Sequence, residues 1–106
     1  MLYLSNAFSL NMINGDVIVR VVTCGIKEVS RILKENKYVS IIGHKDIAAI
    51  VSSDLGLDVE YNRQSVSLKT DDVMVVAQYI GPRLIEGTTE LPDGARIEYR
   101  YLSFRG

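Results

Sequence analysis

The single histidine of the chain, His44, is the first residue whose position indicates chemistry. It follows Ile41-Ile42-Gly43, where a short apolar strand is predicted to give way to a helix. The first turn of a helix leaves backbone N–H groups free, and these groups bind anions such as phosphate. Histidine changes its charge near neutral pH, so His44 could act beside a phosphate as a general acid. The alternative is a structural role, in which His44 only caps the helix.

A second candidate group lies in the segment Gly81-Pro82-Arg83-Leu84-Ile85-Glu86-Gly87. Glycine and proline favour a loop, and such a loop can turn Arg83 and Glu86 toward one site. An arginine guanidinium donates two parallel hydrogen bonds to a phosphate, and a nearby glutamate could orient it or accept a hydroxyl proton. The commoner alternative is a surface ion pair between the two side chains.

Other polar and aromatic groups fit structural roles better. Asn62-Arg63 is typical of a turn, and Asp71-Asp72 fits a solvated turn better than a metal-binding pair. Tyr99 and Tyr101 could stack on nucleic-acid bases, but a place in the sheet core or at a dimer face suits them better. The sequence contains no Walker loop, GxGxxG motif or Ser-His-Asp order.

Eight elements, in the order β-β-α-β-α-β-β-β, are predicted to position these residues. Alternating or continuous apolar residues predict strands at Leu2–Leu4, Asp16–Cys24, Tyr38–Ile42, Ser65–Lys69, Val73–Ile80 and Arg96–Phe104. Helical spacing of apolar residues predicts helices at Ile26–Glu35 and His44–Leu55. We expect the second strand to be buried on much of both faces and the last three strands to form an antiparallel meander. The order predicts an α+β domain, with a mixed sheet of about five to six strands and both helices on one face.

The composition excludes several classes of protein. The chain has 106 residues, one Cys and one His, and a formal net charge of −1. A lone Cys24 cannot form an internal disulfide bond, and one Cys with one His is too few for a zinc finger. Apolar runs are too short for a transmembrane helix, and the near-neutral charge disfavours binding of duplex DNA. We therefore expect a single cytoplasmic domain over residues 1–106, with no membrane segment.

Three stretches, read together, connect the chain to a known family. They are Leu4-Ser5-Asn6-Ala7-Phe8-Ser9-Leu10, Ile42-Gly43-His44, and Asn62-Arg63 followed by Arg83-Leu84-Ile85-Glu86-Gly87. In this order and spacing, over essentially the whole chain, the sequence resembles the viral ring nucleases, an anti-CRISPR family of archaeal viruses and bacterial mobile elements. That family degrades cyclic tetra-adenylate, the second messenger of type III CRISPR systems, and so silences the nucleases that the messenger activates.

The resemblance implies an α+β homodimer that acts in the cytoplasm, of the host cell if the protein is viral. It implies that the cyclic RNA lies in a pocket across the dimer interface and that no metal or cofactor is required. In the implied reaction, a ribose 2′-OH attacks the adjacent phosphorus. The expected product is a linear di-adenylate with a 2′,3′-cyclic phosphate.

The resemblance also implies roles for individual residues. His44 matches the general acid, Arg83 the arginine that stabilises the phosphorane charge, and Glu86 the active-site glutamate. The positions expected to contact the ligand are Asn6, Ser9, Asn11, Gly43, Lys45, Arg63 and Gln78.

Two alternatives to a ring nuclease stay open. The chain departs from the family pattern at Asp46 and Ile47, where small hydroxyl residues are frequent. This departure favours a binding protein that sequesters the messenger without turnover. The other alternative is a viral nucleic-acid-binding regulator, which the near-neutral charge disfavours.

Overall fold

The computed structural model describes residues 1–106 and contains a five-stranded mixed sheet with two α-helices. The strands are β1 (Leu2–Ser5), β2 (Ile18–Cys24), β3 (Val39–Ser40), β4 (Val73–Ile80) and β5 (Arg96–Arg105), and the helices are α1 (Ile26–Glu35) and α2 (Lys45–Leu55). A short 3-10 helix at Leu10–Met12 follows β1. The predicted α+β class and the predicted number of strands are confirmed.

The strand order, β2-β5-β4-β1-β3, places three parallel strands side by side. β1 pairs in parallel with β3 and with β4, whereas β5 runs antiparallel to both of its neighbours. The carboxyl ends of β1, β3 and β4 therefore meet at one edge of the sheet, which is where open α/β sheets commonly bind ligands. The segments that begin at this edge contain Asn6, His44 and the loop from Gly81 to Gly87.

The sheet is covered by helices on one face and by loops on the other. On the first face, α1 and α2 bury Val29 and Val51 against Leu4 and Val75, so the predicted placement of both helices is confirmed. On the second face, loop residues cover apolar side chains of the strands: Phe8, Met12, Val17, Val66 and Leu68 over Met74, Val76, Leu102 and Phe104. Neither helix has the length and apolar character that crossing a bilayer requires.

The prediction that Asp16–Cys24 is buried on both faces is wrong. The strand begins at Ile18 and pairs only with β5, so it forms an edge of the sheet. Val21 is 57% exposed and Val22 is 39% exposed. Val and Ile favour strands at the edge and in the centre of a sheet alike, so their density predicts the element and not its neighbours.

The predicted strand at Ser65–Lys69 does not form. Its one ladder contact is an isolated bridge between Leu68 and Ile13. The alternation there places Val66 and Leu68 over the sheet instead of pairing them with a strand. The predicted three-stranded meander is therefore reduced to the antiparallel pair β4–β5.

Candidate functional site

His44 is the N-cap of α2. Its Nδ1 atom accepts a hydrogen bond from the Ile47 backbone N–H at 3.2 Å. The neutral ring therefore carries its proton on Nε2, because Nδ1 uses its lone pair in the cap. The structural role considered for His44 is confirmed, and its exposed side chain also lines the cavities described below.

The turn before His44 is held by two of the residues predicted to contact ligand. The Gly43 N–H donates to Asn6 Oδ1 at 3.2 Å, which ties the end of β1 to the start of α2. A Cβ atom at Gly43 would lie 3.3 Å from Cγ of Arg63, so the absence of a side chain lets the Arg63 stem pack over the turn. The N–H groups of Lys45 and Asp46 lie in the first helical turn, where α2 offers them no acceptor.

The loop that carries Arg83 is fixed where it leaves β4. Tyr79 donates its hydroxyl hydrogen to the Pro82 carbonyl at 2.6 Å. A Cβ atom at Gly81 would lie only 2.6 Å from Cβ of Ala95, so this close approach requires glycine. The loop therefore leaves the sheet along a path that the sequence sets locally.

Asp46 has a structural contact that the sequence did not predict. Its Oδ2 atom accepts a hydrogen bond from the Gly87 N–H at 3.1 Å, which holds the far end of the loop against α2. A carboxylate in the first turn also interacts favourably with the helix dipole. The departure from the family pattern at this position thus serves to position the loop.

The structure brings the three predicted catalytic side chains together. His44, Arg83 and Glu86 line one cavity of about 500 Å³. An adjoining cavity of about 420 Å³ shares His44 and Glu86 and adds Gly43 and Lys45. The salt bridges of the chain involve neither Arg83 nor Glu86, so the alternative of a surface ion pair between them is not observed.

A third cavity, of about 330 Å³, holds Asn6 and Gln78 on the loop-covered face of the sheet. Arg100 of β5 also lines it, and sequence reasoning missed this residue. Its guanidinium makes only long contacts, 3.4 Å to Thr23 Oγ1 and 3.5 Å to Glu98 Oε2. The alternation of β5 would have placed Arg100 on this face only if the pairing with β4 had been known.

Two residues predicted to contact ligand lie outside these three cavities. Ser9 and Asn11 belong to the 3-10 helix region after β1, where Ser9 Oγ accepts from the Asn11 N–H at 3.3 Å. Both residues are exposed. Their observed contact caps the short helix.

The largest cavity, of about 600 Å³, lies near the other end of α2. Its most buried polar groups are already paired, because the Tyr99 hydroxyl donates to Asp54 Oδ2 at 2.6 Å. Burial, with Asp54 beside it, raises the pKa of Tyr99 far above its ordinary value. Burial also raises the pKa of the Cys24 thiol, which disfavours the reactive thiolate. Size alone therefore does not make this cavity the better candidate.

Comparison with known proteins gives a family. A family model described as STIV B116-like matches residues 2–100. Among solved structures, the chain is similar to B116 of Sulfolobus turreted icosahedral virus, with a TM-score of 0.80 and 22% identity over 96% of this chain and 97% of that chain. At this identity the likeness shows a shared fold. Curated protein sequences yield no match. The chain belongs to the STIV B116-like family.

Proposed function

We propose that the protein is a metal-independent ring nuclease of viral origin that acts in the host cytoplasm. It cleaves cyclic tetra-adenylate to linear di-adenylate with a 2′,3′-cyclic phosphate and so suppresses type III CRISPR signalling. The observation that carries the proposal is the convergence of His44, Arg83 and Glu86 on one cavity at the N-terminus of α2. Membership of a family named for a viral protein supports the viral role.

The proposed reaction is a transesterification. The 2′-oxygen bonds to the adjacent phosphorus, the bond from phosphorus to the 5′-oxygen breaks, and no water is consumed. His44 gives a proton to the leaving 5′-oxygen. Arg83, Lys45 and the free N–H groups of α2 supply positive charge around the phosphorane oxygens. Glu86, which makes no salt bridge, is free to accept the 2′-OH proton.

The cap of α2 sets a condition on this chemistry. His44 delivers a proton as imidazolium, and in that form Nδ1 carries a hydrogen and cannot accept from the Ile47 N–H. The acid form and the cap are therefore mutually exclusive. A bound phosphate supplies the favourable charge interaction that offsets the lost cap. Substrate binding and protonation of His44 are thus coupled.

The size of the ligand favours a homodimer. Pockets of about 300–1,000 Å³ enclose drug-sized ligands. A ring of four linked nucleotides is larger than such a ligand, whereas the cavity that holds His44 measures about 500 Å³. A second protomer would cover the rest of the ring. A two-fold axis then gives the symmetric ring two equivalent sites.

A multiple-turnover assay with chelator-treated protein and excess labelled cyclic tetra-adenylate tests the proposal. We expect many equivalents of di-adenylate per protomer, with the cyclic phosphate identified by its mass. Tight binding without product would instead make the protein a messenger-sequestering protein. A salt-dependent shift of duplex DNA, with no binding of the ring, would favour a nucleic-acid-binding regulator.

A further inference from the structure

β2 leaves one long edge of the sheet uncovered. It lies at one end of the strand order, and its seven residues pair only with β5. The opposite edge strand, β3, has only two residues. Ile18 is 61% exposed and Val21 57% exposed, so apolar side chains as well as backbone groups are open along β2.

None of the usual devices that block pairing protects this edge. Edge strands are commonly protected by Lys, Pro or β-bulges, which prevent another strand from adding to the sheet. β2 contains neither Lys nor Pro, and its register with β5 is unbroken from Ile18 to Cys24. Its one charged residue is Arg20. The formal net charge of −1 produces little repulsion between two copies.

We propose that a second copy of this chain pairs antiparallel with β2 across a two-fold axis, so that five strands from each copy form one continuous sheet. A two-fold axis perpendicular to the sheet pairs β2 with itself. An axis at Val21 sets Arg20 opposite the partner's Val22, and an axis at Val22 sets it opposite the partner's Cys24. Both registers avoid facing arginines, which an axis at Arg20 would create.

This arrangement completes the candidate site, a consequence that rests on the proposed function. Val21 lines the same cavity as Asn6, Gln78 and Arg100. With the axis at or next to Val21, the cavities of the two copies adjoin across the seam. Arg100 from each copy then faces a shared space, with only long contacts to its own chain. A cyclic tetranucleotide bound there would contact both guanidinium groups.

The oligomeric state of the free protein tests the inference without any nucleotide. We expect a dimer by light scattering for the parent and a monomer for Val21→Lys, in which like charges would face each other at the seam. The matched control is Tyr61→Lys, because Tyr61 is 47% exposed and lies beside the opposite end of the strand order. The control should remain dimeric. A monomeric parent, or a dimeric Val21→Lys variant, would overturn the inference.

Cross-linking keeps the inference testable if Val21→Lys fails to fold. In a Cys24→Ser background, Val21→Cys or Val22→Cys should form an intermolecular disulfide on mild oxidation, whichever residue lies on the axis. A dimer in which neither variant cross-links must use another surface. A parent that dimerises through β2 but neither binds nor cleaves cyclic tetra-adenylate would contradict only the proposed function.

Discussion

The two ends of α2 treat their polar groups in opposite ways. At the C-terminal end, the buried Tyr99 hydroxyl is paired with Asp54, and Ser52 Oγ accepts from the Val59 N–H at 2.9 Å. At the N-terminal end, Arg83 and Glu86 are exposed beside a cavity and form no salt bridge. Paired buried groups hold the fold, whereas unpaired groups at a cavity are available to a ligand. Pairing therefore locates the candidate site better than cavity volume does.

One loop connects these two ends. Gly87 donates to Asp46 near the start of α2, and Ser53 Oγ donates to the Thr89 carbonyl at 3.2 Å near its end. The helix thus serves as a rigid rod against which the loop is fixed at two points. The segment between Gly81 and Gly87 gains a defined position over the N-terminus of α2 from this attachment.

Removing the Arg83 guanidinium should have the largest effect at the N-terminal end. We expect Arg83→Ala to lower kcat for cyclic tetra-adenylate by about 10²–10³-fold, because one donor to a developing oxyanion is lost. Its melting temperature should not change, since the side chain is exposed and unpaired. Arg31→Ala is the matched control, an exposed arginine on α1. Equal losses in the two variants would contradict a local role for Arg83.

Tyr99→Phe should affect the C-terminal end alone. The hydrogen bond to the Asp54 carboxylate is lost, so we expect the free energy of unfolding to fall by about 1.5–3 kcal/mol. Turnover, compared at equal folded fraction, should not change. Urea denaturation measures the loss, with Tyr61→Phe as an exposed control expected to stay within about 0.5 kcal/mol. A loss of turnover in Tyr99→Phe would mean that the two ends are coupled.

The pH dependence of stability sharpens the same contrast. The pKa of Tyr99 is raised in the folded state, so its stabilising contribution is complete below the ordinary tyrosine pKa of about 10. That contribution is lost as the pH rises above this value, because only the unfolded chain then ionises readily. The parent should therefore lose stability with rising alkaline pH more steeply than Tyr99→Phe. Parallel curves in urea titrations would contradict this assignment.

Gly81→Ala should disturb the loop and the fold together. The new Cβ would lie 2.6 Å from Cβ of Ala95, and overpacking of this kind costs about 1–3 kcal/mol. Turnover should also fall, because Arg83 follows the displaced turn. Adding Ala95→Gly should recover only part of the stability, since Cα of Ala95 would remain 2.8 Å away. Thermal denaturation and the turnover assay check both effects, and an undisturbed Gly81→Ala variant would contradict the packing argument.

Asp46 offers the smallest and most selective change. Asp46→Asn keeps an acceptor for the Gly87 N–H and removes a negative charge near the expected phosphate. We expect binding of a 2′-deoxy ring, which lacks the nucleophile, to tighten about 2–5-fold, since an exposed charge contributes up to about 1 kcal/mol. Asp46→Ala, which also loses the loop contact, should weaken binding. Calorimetry on both variants checks the pair, and a weaker Asp46→Asn would mean that the charge itself helps binding.

The local parts of this architecture were predictable from the sequence. Apolar spacing predicted α1 at Ile26–Glu35 and the strand at Val73–Ile80 with the bounds that the structure shows. The step from strand through Gly43 to a helix predicted the exposed N-terminus that His44 caps. These signals lie within a few consecutive residues, so no knowledge of distant partners is needed.

The remaining features depend on contacts between distant parts of the chain. The exposure of β2 follows from its place in the strand order, and the loop-like path of Ser65–Lys69 follows from its contact with Ile13. Arg100 reaches the Asn6 cavity through its register in the sheet, and Asp46 contacts Gly87 across the site. None of these contacts leaves a periodic signal in the sequence. Pattern analysis could therefore find the catalytic candidates but not the residues that frame them.

The central claim is that His44 caps α2 and also supplies the proton for cleavage. The most direct test is the single-turnover rate constant for cyclic tetra-adenylate with His44→Asn beside the parent. Asparagine is a strong N-cap, so the helix should be retained, but it cannot act as the acid. We predict a rate about 10²–10⁴-fold below that of the parent, at unchanged stability. Cleavage by His44→Asn at the parental rate would show that His44 is only a cap and would contradict the account.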